Sequence, residues 1–158
     1  MGVGQSERIF PTLGVSEPAR PTRVAGVRRL LLVDDEATFR LALRHYLERR
    51  GWQVDEAHDG ASALERLLDP RDAGEYAAVL CDLNMPGLSG QGLHAELVAS
   101  ESPAVGKLVF STGDTFDPDV VAFLEATGGR WFQKPFELKR LAALLDEMSG
   151  VEAGAPVV

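Results

Sequence analysis

Asp82 stands at the end of an apolar run, Ala77-Ala78-Val79-Leu80-Cys81, and is followed by Asn84, then Met85-Pro86-Gly87 and Gly90. Three other runs end in a similar way. Arg29-Leu30-Leu31-Leu32-Val33 delivers the acid pair Asp34-Asp35, and Lys107-Leu108-Val109-Phe110 delivers Ser111-Thr112-Gly113. Trp131-Phe132 leads into Lys134-Pro135-Phe136. Ligands of open parallel sheets bind outside the carboxyl ends of the strands. As strands of one sheet, these runs would gather three carboxylates, a hydroxyl and an ammonium in one pocket.

Asp34, Asp35 and Asp82 bring three negative charges to that pocket and Lys134 one positive charge. Clustered carboxylates raise one another's pKa and strain the compact state unless a cation intervenes. One divalent ion balances the sum. Ligation by carboxylates, a backbone carbonyl and water suits Mg²⁺, which also accepts phosphate oxygens. A carboxylate can itself attack a phosphoryl donor and become an aspartyl-phosphate. That transfer needs charge neutralisation on the equatorial oxygens more than it needs acid–base chemistry. Mg²⁺ would serve one such oxygen, Lys134 a second, and Thr112 with nearby backbone N–H groups a third. His45, His58 and His94 lie away from these strand ends and show no metal-ligand spacing.

The elements between the runs read as helices. Phe39, Leu43, Tyr46 and Leu47 share one face of a helix from about Glu36 to Arg50, stopped by Gly51. Gln53–Ala57 reads as a weaker, edge-like strand. Asp59 can cap a helix carrying Leu64, Leu67 and Leu68, closed by Pro70. A short helix from about Gly92 to Ala99 offers Leu93, Leu97 and Val98. Asp117-Pro118 starts another with Val120, Val121 and Leu124, ending at Gly128-Gly129. The last, from about Glu137, buries Leu138, Leu141, Leu144, Leu145 and Met148. This alternation predicts an α/β fold, a five-stranded parallel sheet with helices on both faces.

Residues 1–27 read as a Pro- and Gly-containing leader without periodicity, 28–149 as the folded domain, and 150–158 as a tail. No run approaches the ~18 apolar residues of a membrane span. With no apolar signal-peptide core either, the expected location is cytoplasmic, with no membrane partner. The net charge of −8 and the lack of a basic face or Lys/Arg cluster that recurs along the chain argue against direct nucleic-acid binding. The single cysteine, Cys81, falls inside a strand and reads as a small core residue.

The segments Val33-Asp34-Asp35-Glu36, Cys81-Asp82-Leu83-Asn84-Met85-Pro86-Gly87, Phe110-Ser111-Thr112-Gly113 and Lys134-Pro135-Phe136 resemble the motif set of two-component response-regulator receiver domains. The resemblance covers roughly Arg28 to Ser149 and implies the flavodoxin-like, doubly wound strand order 2-1-3-4-5. It implies that Asp82 is the phosphoacceptor, supplied by a histidine kinase or phosphotransfer protein. Asp35, Asp82 and the main-chain carbonyl of Asn84 would bind Mg²⁺ directly, with Asp34 acting mainly through water. Thr112 matches the switch hydroxyl, and Trp131 the switch aromatic, where the family usually carries Tyr or Phe. Of the two adjacent hydroxyls, Thr112 is preferred to Ser111 because the small Gly113 follows it. Lys134–Pro135 matches a cis peptide.

Such a domain is not a turnover enzyme; it assists only its own phosphorylation and dephosphorylation. Phosphorylation would alter the surface formed by the last two strand–helix units, also the expected route to a homodimer. With the last helix ending near the C-terminus, the signal is expected to pass to a separate effector, unless the chain is a receiver piece of a hybrid kinase. Two other readings compete. A haloacid-dehalogenase-like phosphotransferase shares the aspartyl nucleophile and Mg²⁺, but needs an acid where Asn84 stands, and a cap domain. A docking-only pseudo-receiver has no reason to keep the whole charge cluster.

Overall fold

The structure, a computed structural model, describes residues 26–72, 74–113, 117–128 and 130–150. The leader as far as residue 25 and the tail from residue 151 lie outside the described residues. Strands and helices alternate as β1 (Arg28–Val33), α1 (Ala37–Glu48), β2 (Trp52–Ala57), α2 (Gly60–Leu68), β3 (Ala78–Asp82), α3 (Gly90–Ala99), β4 (Leu108–Thr112), α4 (Pro118–Ala126), β5 (Trp131–Gln133) and α5 (Leu138–Met148). All strand pairs are parallel, in the order β2-β1-β3-β4-β5. This is the flavodoxin-like order that the motifs implied.

The apolar runs are near-continuous because a central parallel strand is buried on both faces. Side chains along a strand alternate between faces. Leu31, Val33, Val79, Cys81, Leu108 and Phe110 pack with α2, α3 and α4, through Leu67, Leu93, Leu97 and Leu124 among others. Leu30, Leu32, Leu80 and Val109 pack on the opposite side with α1 and α5, through Leu43, Leu47, Leu141 and Leu145. Two cores thus clamp one sheet. No helix among the described residues is long and apolar enough to cross a membrane.

The helix starts follow capping chemistry. The Asp59 carboxylate accepts a hydrogen bond from the Ser62 N–H at 2.7 Å, and that of Asp117 accepts one from Asp119 N–H at 2.9 Å. Helix α3 begins at Gly90 rather than near Gly92, because the Ser89 hydroxyl accepts from Gly92 N–H at 3.1 Å and serves as the cap. A 3₁₀ turn at Pro103–Lys107, absent from the sequence reading, leads into β4. Val98 is 50 % exposed: Leu93 and Leu97 share the buried face, and the next residue turns about 100° away from it. Leu68, at the last position of α2, is 43 % exposed. Leu138, Leu144 and Met148 lie at the margin of their core rather than inside it.

Strand β2 is an edge strand, and its weak apolar pattern has a specific cause. Asp55 is buried, accepting from Arg29 at 2.5 Å and from the Tyr76 hydroxyl at 2.7 Å. The Arg29 guanidinium also lies 4.7 Å from the centroid of the Tyr76 ring. A charged residue in a strand is tolerated inside when it is paired in this way.

Gly90 lets α3 begin close behind β3. Its N–H donates to the Leu83 carbonyl at 3.1 Å. A Cβ at this position would come 2.7 Å from the Asp82 carbonyl oxygen and 2.9 Å from Leu83 Cα, both backbone atoms. Gly90→Ala should therefore destabilise the fold by about 1–3 kcal/mol through overpacking, read as a lower urea midpoint at unchanged slope.

Candidate functional site

Strand alternation alone assembles most of the charged cluster. Leu32 and Leu80, and with them Phe132, face the α1/α5 side. Two residues further along each chain segment stand Asp34, Asp82 and Lys134, at the carboxyl edge of β1, β3 and β5. The fold therefore brings residues 100 positions apart into contact: Lys134 Nζ donates to Asp34 Oδ2 at 2.7 Å. The same ammonium lies 3.6 Å from Asp82 Oδ2. Oxygens of Asp34, Asp35 and Asp82 all lie within 4.8 Å of one another, as the sequence reading required.

The three acids occupy different surroundings. Asp34 is 1 % exposed, and both its oxygens are engaged: Oδ1 accepts from Glu36 N–H at 2.9 Å, Oδ2 from Lys134. Asp35 is exposed. Asp82 is 7 % exposed, and its Oδ1 accepts from the backbone N–H of Asn84 at 3.3 Å. Asn84 itself is exposed, so that an approaching group meets Asp35, Asp82 and the Asn84 backbone at the rim. This oxygen-only set, with more negative charge than Lys134 can neutralise, fits a hard divalent cation such as Mg²⁺. Asp35 and Asp82 retain lone pairs for it, whereas Asp34 is occupied by protein donors.

Electrostatics at the cluster are unbalanced. Burial pushes the Asp82 carboxyl above its usual range; Lys134 opposes this, while Asp34 and Asp35 add to it. Burial draws Lys134 downward, but the hydrogen bond to Asp34 and the charges of Asp82, Asp34 and Glu36 prevail, holding its pKa above the ordinary lysine value. Burial likewise raises the Cys81 thiol, with Asp82 and Asp34 adding to it, and the residue sits in the core without a disulfide.

The hydroxyl and aromatic candidates lie across the sheet from the acids. Thr112, fully buried at the end of β4, shares the alternation of Phe110, which pairs with Trp131. Trp131 is half-buried against the α2–α4 core. Ser111 instead pairs with Asp82 and follows the alternation of Val109; its Oγ is buried without a hydrogen-bond partner. The backbone closes around these groups: Lys134 N–H donates to the Thr112 carbonyl at 2.8 Å, and Leu83 N–H to that of Ser111 at 3.0 Å. The Lys134–Pro135 peptide is cis.

Two neighbours of the cluster escaped the sequence reading. Arg40 donates to the Asp34 carbonyl at 2.5 Å and to Glu56 at 2.9 Å, tying the β1–α1 turn to β2. Phe39, which periodicity marks only as a core position, holds its ring 4.3 Å from Lys134 Nζ. The available signal was its place in the first turn of the helix that follows the acid pair.

Known proteins resemble the chain over most of its described residues. The family model described as the response regulator receiver domain matches residues 30–146. The chain is 35% identical over 115 residues to the response regulator MprA of Mycobacterium ulcerans, covering 73% of this chain and 47% of that protein. It is 31% identical over 125 residues to the transcriptional regulatory protein ResD of Bacillus subtilis, covering 77% and 49%. The chain thus spans about half the length of these curated relatives. A response regulator receiver protein from Pseudomonas putida superposes with a TM-score of 0.67 at 28% identity, covering 78% of this chain and 99% of that one.

The raised Asp82 pKa sets the sign of a stability test. The folded chain releases this proton at a higher pH than the unfolded chain, so ionisation of Asp82 costs folding free energy. The cost is absent below the unfolded pKa of ~3.9, grows as pH rises towards the folded pKa, and is full above it. Asp82→Asn should therefore raise the metal-free melting temperature at pH 7, and this gain should shrink towards pH 3. A melting temperature lowered by Asp82→Asn at pH 7 would contradict the assignment of Asp82 as an electrostatically strained carboxylate.

Proposed function

The chain belongs to the response regulator receiver domain family, and from that premise we propose that Asp82 accepts a phosphoryl group from a histidine kinase or phosphotransfer protein. One observation carries the reading: a buried carboxylate, Asp82, lies 3.6 Å from the Lys134 ammonium and beside two further acids at an open sheet edge. A carboxylate oxygen of Asp82 forms the new bond to phosphorus. The bond from phosphorus to the donor nitrogen breaks, and the electron pair leaves with the imidazole. Charge then spreads over the equatorial oxygens and must be neutralised where it develops.

The chain's own groups divide that task. Lys134 turns its ammonium to one equatorial oxygen, and the Thr112 hydroxyl with nearby backbone N–H groups serves another. Asp35, Asp82 and the Asn84 main-chain carbonyl would hold Mg²⁺, with Asp34 acting through water; the bound ion supplies the remaining positive charge. Asp34 meanwhile keeps Lys134 charged and in place.

Phosphorylation acts as a switch in this reading. Thr112 follows the phosphoryl group, Trp131 turns with it, and the surface of β4–α4 and β5–α5 changes for a separate effector or a second copy of the chain. The protein turns over no separate substrate, accelerates only its own phosphorylation and dephosphorylation, and works in the cytoplasm.

Incubation with acetyl phosphate and Mg²⁺ should add one phosphoryl mass to the intact protein and none to Asp82→Asn. Labelling that persists in Asp82→Asn would move the acceptor elsewhere. Mg²⁺ alone should raise the melting temperature by binding only the folded site, and Asp35→Asn should blunt the rise. A melting curve indifferent to millimolar Mg²⁺ would remove the metal from the proposal.

A further inference from the structure

The ammonium of Lys134 has a neighbour that is neither an acid nor water. One N–H is directed to Asp34 Oδ2 at 2.7 Å, and Asp82 Oδ2 lies at 3.6 Å, beyond an ordinary hydrogen bond. The Phe39 ring centroid stands 4.3 Å from the same nitrogen. The ring does not merely fill space there. Phe136 packs against it edge-on, centroids 6.0 Å apart at 84°, and Phe136 is in turn backed by Phe132 at 5.3 Å. These aromatics belong to the α1/α5 core, which fixes the ring from behind while its face meets the cation.

Lysine is a point charge on a flexible four-carbon stem and readily swings into water. A positive charge is attracted by the negative face of an aromatic ring, more strongly as water is excluded. The Lys134 side chain is only 22 % exposed. An aliphatic residue at position 39 would supply bulk without that attraction.

We propose that Phe39 is a positioning residue for phosphoryl transfer: its ring face holds the Lys134 ammonium between the Asp34 and Asp82 carboxylates, where the phosphoryl oxygens will arrive. The inference rests on the reading of Asp82 as phosphoacceptor. A charge already aimed at the developing phosphoryl oxygens needs no reorganisation during the transfer. Loss of the ring face leaves Lys134 held by Asp34 alone, so outward rotamers gain population and the transfer slows although Asp34, Asp82 and Lys134 are unchanged.

The test uses the full chain with Phe39 replaced by 4-fluoro-, 3,5-difluoro- and 3,4,5-trifluorophenylalanine. Fluorination preserves the shape of the ring and drains charge from its face. The rate of Asp82 phosphorylation by acetyl phosphate with Mg²⁺ should fall with each step, by roughly 2- to 30-fold over the series. Phe39→Tyr should stay near the original rate and Phe39→Leu should fall with the trifluoro protein. A metal-free NMR measurement gives a second readout. The ring current of Phe39 should shift the Lys134 ε-methylene protons upfield, and Phe39→Leu should abolish the shift. A flat rate across the fluorinated series in a protein that does take phosphoryl on Asp82, or an absent ring-current shift, would overturn the inference. No phosphoryl on Asp82 of the unaltered chain is a separate result, which overturns the parent reading and this inference with it.

Discussion

One ammonium shared between two buried carboxylates constrains the whole carboxyl edge of this sheet. Lys134 reaches Asp34 at 2.7 Å and Asp82 at 3.6 Å, joining the ends of β1 and β3 to the segment after β5. A buried acid left without that partner would be strongly destabilising. The pairing is incomplete, because Asp35 adds a third negative charge at the rim and burial still raises the Asp82 pKa. A site so composed favours a further cation, and then a group that brings its own negative oxygens. The proposed chemistry follows from this residual imbalance.

The fold converts a strand's period of two into a division of labour. On the α1/α5 side, Leu32, Leu80 and Phe132 build core, and the next positions on that side are Asp34, Asp82 and Lys134. On the other side, Phe110 pairs with Trp131, and Thr112 continues that face. The charge-bearing groups and the proposed switch pair thus approach the same edge from opposite faces. A phosphoryl group on Asp82 that draws Thr112 towards it would disturb packing next to Trp131 and α4, the region proposed to carry the signal outward.

The opposite end of the sheet is organised for permanence. Arg29, Asp55 and Tyr76, with Arg66 and Asp72 beside them, form a buried set of polar contacts joining β1, β2 and the approach to β3. Arg28 donates to Asp146 of α5 at 2.5 Å and to the Arg50 carbonyl at 2.7 Å. With that end paired internally, the electrostatic surplus is left at the carboxyl edge, where loops rather than strands surround it.

Much of this was legible in the sequence because periodicity and strand-end chemistry are local. Four apolar runs ending in Asp34-Asp35, Asp82, Thr112 and Lys134 sufficed to indicate a parallel sheet, the acidic cluster and the receiver motifs. Cys81 as core and Asp59 and Asp117 as caps were readable for the same reason. What the sequence left dark was set by partners far along the chain. The ionic residue Asp55 weakened the apparent strand pattern of β2 because its counter-charge, Arg29, comes from β1. Phe39 looked like one more apolar helix position until Lys134, from the far end of the fold, was placed over its ring. The start of α3 at Gly90 is a different case, since the Ser89 cap that sets it is as local as those of Asp59 and Asp117. By itself the sequence determined which groups end each strand, since alternation and capping act over a few residues. The tertiary structure alone decided which of those groups share a hydrogen bond, a ring face or a buried charge, since distance and desolvation arise only when remote segments pack.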